Sequence, residues 1–378
     1  IVTTRENYKK PFPIPAGLAP NNWTRDSHYD LIIISDLSLL GGTRRCNEGY
    51  VNAALSTGLR VGLFHWPRYD LKTAEIADEY TELSYNENVD ILVPEDNVTA
   101  NLVVIHHPPV LKYEIDSVPA IDCQKVAILV NQSPMQLWHE KPHYYSETEV
   151  NTLTKKLFGH IPIWIAISST VEQTLLMAGG GVKLHAQIWY PPYNQDLPDI
   201  VPEPPLDFGS NRAIKLGRHS RDHWTKWPDS ESKINNAYCC NQNGISVLLL
   251  GGAKTPKKIL SKFPANWEVL EFDTVPIPNF IKSLDFFLHF THTDYIEEFG
   301  RNIMEAMAGG RVVILPKSYK ATFGDAAVYC EPSEVKDVVR YYWKNKLMYI
   351  EQSQRGYSFV NKNCSRSVVS QNLLNLLK

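Results

Sequence analysis

Short apolar runs alternate with longer segments whose apolar positions recur every three or four residues, along nearly all of the 378-residue chain. The runs "YDLIIIS", "LRVGLFHW", "VDILV", "NLVVIHH", "KVAILVN" and "IWIAIS" have the length and branched-residue content of buried strands. Between the first two lies "GGTRRCNEGYVNAALSTG", a helical pattern closed by Gly58. The three together predict one right-handed βαβ unit. The helix "STVEQTLLMA" ends at Gly179–Gly181. A stretch from Pro191 to Pro205 with six prolines then breaks the alternation, which suits a semi-rigid linker. After it the pattern restarts with "AIKLG", "ISVLLLGG", "WEVLEF", "DFFLHF" and "RVVILP". The chain therefore reads as α/β, two doubly wound Rossmann-like domains facing each other across a cleft. Their predicted extents are 1–200 and 201–355, and a C-terminal helix at 356–378 is expected to pack back on the first domain.

Composition adds exclusions. The chain is 43% hydrophobic and 21% charged, as expected of a globular protein with substantial cores. A net charge of −3 without a basic block gives no reason to expect nucleic acid as a partner. Apolar runs stop short of the ~18 residues that a membrane span requires. The opening "IVTTRENYKKPFPIPAGLAP" lacks the apolar core of a signal peptide, so the sequence reads as a processed or excised module of a longer polypeptide. Six cysteines (Cys46, Cys123, Cys239, Cys240, Cys330, Cys364) are scattered without a C-x-x-C pair, the usage of reduced thiols in a cytoplasmic protein. The sequons at Asn22, Asn97 and Asn363 read as chance matches in that setting.

Chemistry is suggested at four places. In "DYIEEFGRNIMEAMAGG", Glu297 and Glu305 bracket a Phe299-Gly300 pair at the entrance of a helix. Glycine there lets backbone approach a ligand. The N–H groups of Gly300, Arg301 and Asn302 would face an anion at the positive end of the helix dipole. The bland alternative is dipole complementation by Glu297 and Glu298, with Glu305 on the surface. In "IKLGRHSRDHWTKWP", Arg218, Arg221 and Lys226 gather just past a strand end, where cations neutralise a diphosphate. Gly41 and Gly42 open the first helix of the first domain, without the G-x-G-x-x-G of a dinucleotide site. His106 and His107 end a strand that two prolines stop. Neither carries companions at metal-ligand spacing, so no metal is expected.

Taken together, these residues resemble the retaining glycosyltransferases of family 4, which have the GT-B fold. The signature is E-x-F-G-x4-E-A-M-A, present from Glu297 to Ala308 and followed by the turn and strand "GGRVVIL". The resemblance spans nearly the whole chain and is strongest between about Lys215 and Pro316. It implies that Glu305 holds the ribose of a nucleotide-sugar donor. Glu297 would contact hydroxyls of the transferred sugar. Amides at Gly300 to Asn302, with Arg218 and a lysine, would grip the diphosphate, and Gly42 would approach it from the first domain. His106 would touch the donor sugar. The family's lysine commonly stands five residues after the arginine, where this chain has His223. Lys226 takes that role in this reading, with Arg221 as competitor.

The implied activity is hexosyl transfer to a glycan, lipid-linked or other hydroxyl acceptor, in cell-surface polysaccharide synthesis. No cofactor or metal is expected, and UDP is the default nucleotide. The implied location is cytoplasmic, including the inner membrane face. Three alternatives share the fold: a sugar-nucleotide epimerase, a glycan phosphorylase, and a non-catalytic module that binds a glycan or a partner.

Overall fold

The structure, a computed structural model, describes residues 26–68, 75–195, 197, 203, 204 and 207–378. The opening segment, the Asn22 sequon and the boundary placed at residue 200 lie outside these. The described residues divide into two compact units. The first holds residues up to Gln136, Glu140–Asn194 and Arg366–Lys378; the second holds Leu137–His139 and Gln195–Ser365.

The first unit is built on seven strands: β1 (Asp26–Ser35), β2 (Val61–His65), β3 (Val89–Leu92), β4 (Asn97–His106), β5 (Ala120–Val130), β6 (Ile163–Ala166) and β7 (Lys183–Leu184). Their order is β3-β2-β1-β4-β5-β6-β7, and each neighbouring pair is parallel. A central parallel strand is covered on both faces, which is why β1 is continuously apolar from Leu31 to Ile34, every residue buried. The cover comes from α1 (Gly42–Leu55), α2 (Asp78–Leu83), α3 (Glu147–Phe158) and α4 (Ser169–Ala178). Ser146 and Ser168 cap α3 and α4 by accepting the N–H of Glu149 and Val171, and each helix stops at a left-handed glycine, Gly159 or Gly179.

The second unit repeats the plan with β8 (Ile214–His219), β9 (Ile245–Leu250), β10 (Trp267–Leu270), β11 (Phe286–Leu288), β12 (Val312–Leu315) and β13 (Val328–Tyr329). The order is β10-β9-β8-β11-β12-β13, again parallel throughout. Its helices are α5 (Glu231–Ala237), α6 (Lys254–Ile259), α7 (Ile277–Lys282), α8 (Arg301–Ala308), α9 (Lys320–Phe323), α10 (Val335–Lys344) and α11 (Lys346–Cys364). The sequence pattern does not reveal β7 and β13. Two residues are too few to show a period.

The last helix, α12 (Arg366–Leu377), belongs to the first unit, where its Ser370 donates to Ala53 O of α1. The predicted segment began at 356, but residues 356–364 continue α11 in the second unit. A Cβ on Gly356 would stand 3.1 Å from Met307 and 3.2 Å from Ala326 O, so that glycine is a packing contact rather than a helix start. All six cysteines are buried, and no disulfide forms among the described residues.

In each sheet the chain winds outward from one central strand and then returns to its other side. That reversal opens a crevice at the carboxyl ends of the two central strands. In the second unit these strands are β8 and β11. Gly251, with φ 109°, lets the loop after β8 lie directly on the turn after β9. A Cβ there would fall 2.2 Å from Ser220 O.

Candidate active site

The crevice of the second unit collects most of the sequence-selected residues. Arg218 and His219 end β8, and His289 follows β11 directly. Glu297 lies in the loop from β11 to α8, and the helix starts just after the Phe299-Gly300 pair, with Gly300 at its N-cap. Glu297 Oε2 accepts from Lys226 Nζ at 2.5 Å and from His289 Nε2 at 3.1 Å. Lys226 also donates to Tyr295 Oη at 3.0 Å. Burial alone would raise the Glu297 pKa. The Lys226 charge and the His289 hydrogen bond outweigh it and hold the carboxyl down at about 2. The charge of Lys226 is thus committed first to Glu297.

His289 has a fixed tautomer. Its Nδ1 accepts from Asn302 Nδ2 at 3.0 Å, which leaves the proton on Nε2, facing Glu297. The same Asn302 amide donates to His219 O at 2.9 Å. Asn302, the second residue of α8, therefore braces the helix tip against β8 and β11 with its side chain. The backbone N–H groups of Gly300 and Asn302 find no acceptor among the described residues. Gly300 is left-handed, φ 83°, and a Cβ there would meet Ile303 Cδ1 at 2.8 Å.

Arg218 is 2% exposed and has no carboxylate within ion-pair distance among the described residues. Its Nη1 donates to Lys226 O at 2.7 Å and Tyr238 Oη at 2.9 Å, while Nη2 is buried without a partner. Its Cζ lies 3.9 Å above the Trp227 ring, which in turn stacks on Trp267. An aromatic face steadies a guanidinium without neutralising it. A buried cation in this state carries a desolvation cost that no carboxylate among the described residues offsets. Arg221, the competitor cation, is exposed. Asp222, the residue after Arg221, is structural: it accepts the Trp227 indole N–H and the backbone N–H groups of Lys254 and Thr255 at the start of α6.

Glu305 is half-buried on the fifth position of α8, 3.3 Å from His219 Nε2 and 3.8 Å from Arg301. Phe299 is buried and packs on Phe323, fixing the chain ahead of the helix. Sequence reasoning missed His289, Tyr295, Tyr238 and Trp227. The signal for His289 was present, because it is the polar residue inside the apolar run "DFFLHF".

In the first unit Gly41, φ 86°, starts α1 with open space around it, and Gly42 is exposed beside it. The two histidines separate. His106 is 1% exposed beneath α1, with Nδ1 2.6 Å from Asn47 Oδ1. His107, left-handed at φ 78°, joins Asn131 Oδ1, whose amide donates to Thr43 next to the glycine turn. His107 is thus linked through Asn131 to Thr43, the residue after Gly42, while His106 is linked to Asn47 further along α1. Among the described residues no three or more His, Cys, Asp or Glu side chains gather as a metal site. No helix among them is long and apolar enough to cross a membrane.

Three buried histidines resist protonation. Burial first, then neighbouring His107, lowers His106 to about 3. Burial, then His289 and Arg218, lowers His219 to about 3. Burial lowers His289 to about 4 against the opposing pull of Glu297. An unfolded histidine takes its proton near 6.5, so on acidification the unfolded chain binds protons that the folded chain refuses. Their contribution to stability is complete above pH 6.5 and is lost as pH falls towards 4. The urea midpoint is expected to be level from pH 8 to 7 and to drop steadily from 6.5 to 4.5. A level midpoint over that lower range would mean the histidines are solvated.

No protein-family model and no curated protein matches the sequence. Solved structures do match in fold. HepE from Anabaena, solved in complex with UDP and glucose, superposes with a TM-score of 0.61 at 15% identity, over 93% of this chain and 99% of its own. AviGT4, a glycosyltransferase involved in avilamycin A biosynthesis, gives 0.55 at 12% identity, over 92% and 96%. WaaG, a glycosyltransferase involved in lipopolysaccharide biosynthesis, gives 0.51 at 11% identity, over 92% and 99%. The seven- and six-stranded parallel sheets with flanking helices are those of the GT-B fold.

Proposed function

We propose that the chain is a retaining glycosyltransferase of the family-4 type. It moves a sugar from a nucleotide-diphosphate donor, UDP by default, to a hydroxyl of a glycan or lipid-linked acceptor in polysaccharide synthesis. The observation that carries this reading is the buried, carboxylate-free Arg218 at the sheet's crevice, beside the free amides of Gly300 and Asn302. Both suit a diphosphate. Cleavage of the bond between the anomeric carbon and the phosphate oxygen sends its electron pair to the diphosphate. Pre-aimed donors stabilise that developing charge without reorganising. Glu305, half-exposed beside the helix tip, suits the ribose hydroxyls. Glu297, ionised and held by Lys226 and His289, suits hydroxyls of the transferred sugar and the positive character growing on its ring. The leaving group is stabilised by fixed donors of the protein, so activity is expected to persist in EDTA.

The test is thermal. Binding to the native state alone raises the melting temperature, by an amount equivalent to about 2.7 kcal/mol at a hundredfold excess over Kd. UDP or one UDP-sugar is expected to give a shift of several degrees, with UDP released when a glycan acceptor is added. No shift with any nucleoside diphosphate or nucleotide sugar would end the reading.

A further inference from the structure

The turn at residues 292–295, next to the Glu297–Lys226 pair, is held at both ends by segments that each carry an exposed tryptophan. At one end His292 N–H donates to Thr225 O, within the turn Trp224–Lys226. That turn sorts its residues: Thr225 is buried, Lys226 reaches Glu297, and Trp224 stands 47% exposed. The Trp224 ring is fixed edge-on to His292, with centroids 5.0 Å apart and planes at 87°, and is flanked by His223 at 5.8 Å. At the other end Leu137 bridges to Tyr295 and Trp138 N–H donates to Asp294 O, with Trp138 38% exposed. His139 Nδ1 stands 4.0 Å from the half-exposed Asp294 carboxylate.

Neither indole is used for packing in proportion to its size. Burying a large apolar side chain is favourable, and more than a third of each residue's surface is left in solvent at both positions. What the positions offer instead is two flat rings on pinned backbone, bordered by His223, His292 and Asp294. The C–H face of a pyranose packs on the electron-rich face of an indole, while its rim hydroxyls need hydrogen-bonding partners. We infer that Trp224 and Trp138 form a stacking platform for the sugar rings of a glycan acceptor. The inference rests on the glycosyltransferase reading and gives the acceptor a carbohydrate character near the reacting centre.

The experiment uses the full chain, Trp224→Ala, Trp138→Ala and Trp224→Phe. Each is applied with UDP to an array of defined oligosaccharides, and UDP binding is followed separately by thermal shift. The wild type is expected to bind one or more glycans. Each alanine variant should lose roughly tenfold or more of that signal, Trp224→Phe should keep much of it, and all should bind UDP as the wild type does. Glycan binding unchanged in the alanine variants, or absent from a wild type that binds UDP, overturns the platform. A wild type that binds glycans through these residues but binds no UDP keeps the platform and removes the donor assignment.

Discussion

Arg218→Ala is expected to lower kcat for sugar transfer by about 10²–10³-fold, the range seen when one pre-aimed donor to a developing negative charge is removed. The reason lies in how the side chain is held. Two hydrogen bonds on Nη1 and the Trp227 face fix the guanidinium, and nothing among the described residues neutralises it. Its charge is available to a ligand at every moment. A structural arginine of equal burial would show the opposite pattern, a carboxylate partner and a large stability loss on removal. Here the alanine variant gives up two hydrogen bonds but also an uncompensated buried charge, and the two effects oppose each other. The ligand-free melting temperature should therefore shift by less than about 4 °C, which corresponds to roughly 1 kcal/mol in a domain of this size. The UDP-induced shift should largely disappear. Arg218→Lys keeps a charge but loses the planar fork and the stacking, so it should recover only part of the rate. Turnover at the wild-type level in the alanine variant would take Arg218 out of the site.

The fold was legible because its signal is redundant. The central strands β1, β4 and β5 each carry a buried apolar run, Leu31–Ile34, Leu102–Ile105 and Val126–Val130, and burial on both faces demands that. Even β11, three residues long, showed through "DFFLHF". The two-residue β7 and β13 carried no period to read. Rare residues at fixed spacing, Glu297, Gly300 and Glu305, stood out in the sequence, and the structure gathers them at one crevice. Hydrogen-bond partners set by geometry alone did not stand out. Nothing in "VVIHHPPV" says that His106 turns under α1 while the left-handed backbone of His107 swings the next ring towards Asn131. Nor does spacing reveal that Lys226 is claimed by Glu297, because 71 residues separate them in the chain. Trp227 and Tyr238 are core residues of the second unit. Their use in steadying a cation appears only when Arg218 is seen lying on them.

Glu297→Gln should be the most damaging conservative change to stability in the second unit. The substitution preserves volume and an acceptor oxygen but removes the charge that answers Lys226. Breaking one half of a buried ion pair costs about 3–5 kcal/mol, which for a domain of this size lowers the melting temperature by roughly 10 °C. The origin can be separated by pH. The wild-type carboxyl titrates at about 2 rather than at the ordinary 4.5, so its contribution is complete above 4.5 and fades as pH falls towards 2. The gap between wild type and variant should be widest near neutrality and close progressively below pH 4.5. A gap that stays constant with pH would show that shape, and not charge, was lost. Adding Lys226→Met to Glu297→Gln removes the stranded cation, and the pair replaced together should be less destabilised than Glu297→Gln alone. Sugar transfer should not return with stability in that double variant. In the proposed reading an ionised carboxylate at this position serves the transferred sugar, and a refolded apolar pair cannot take its place.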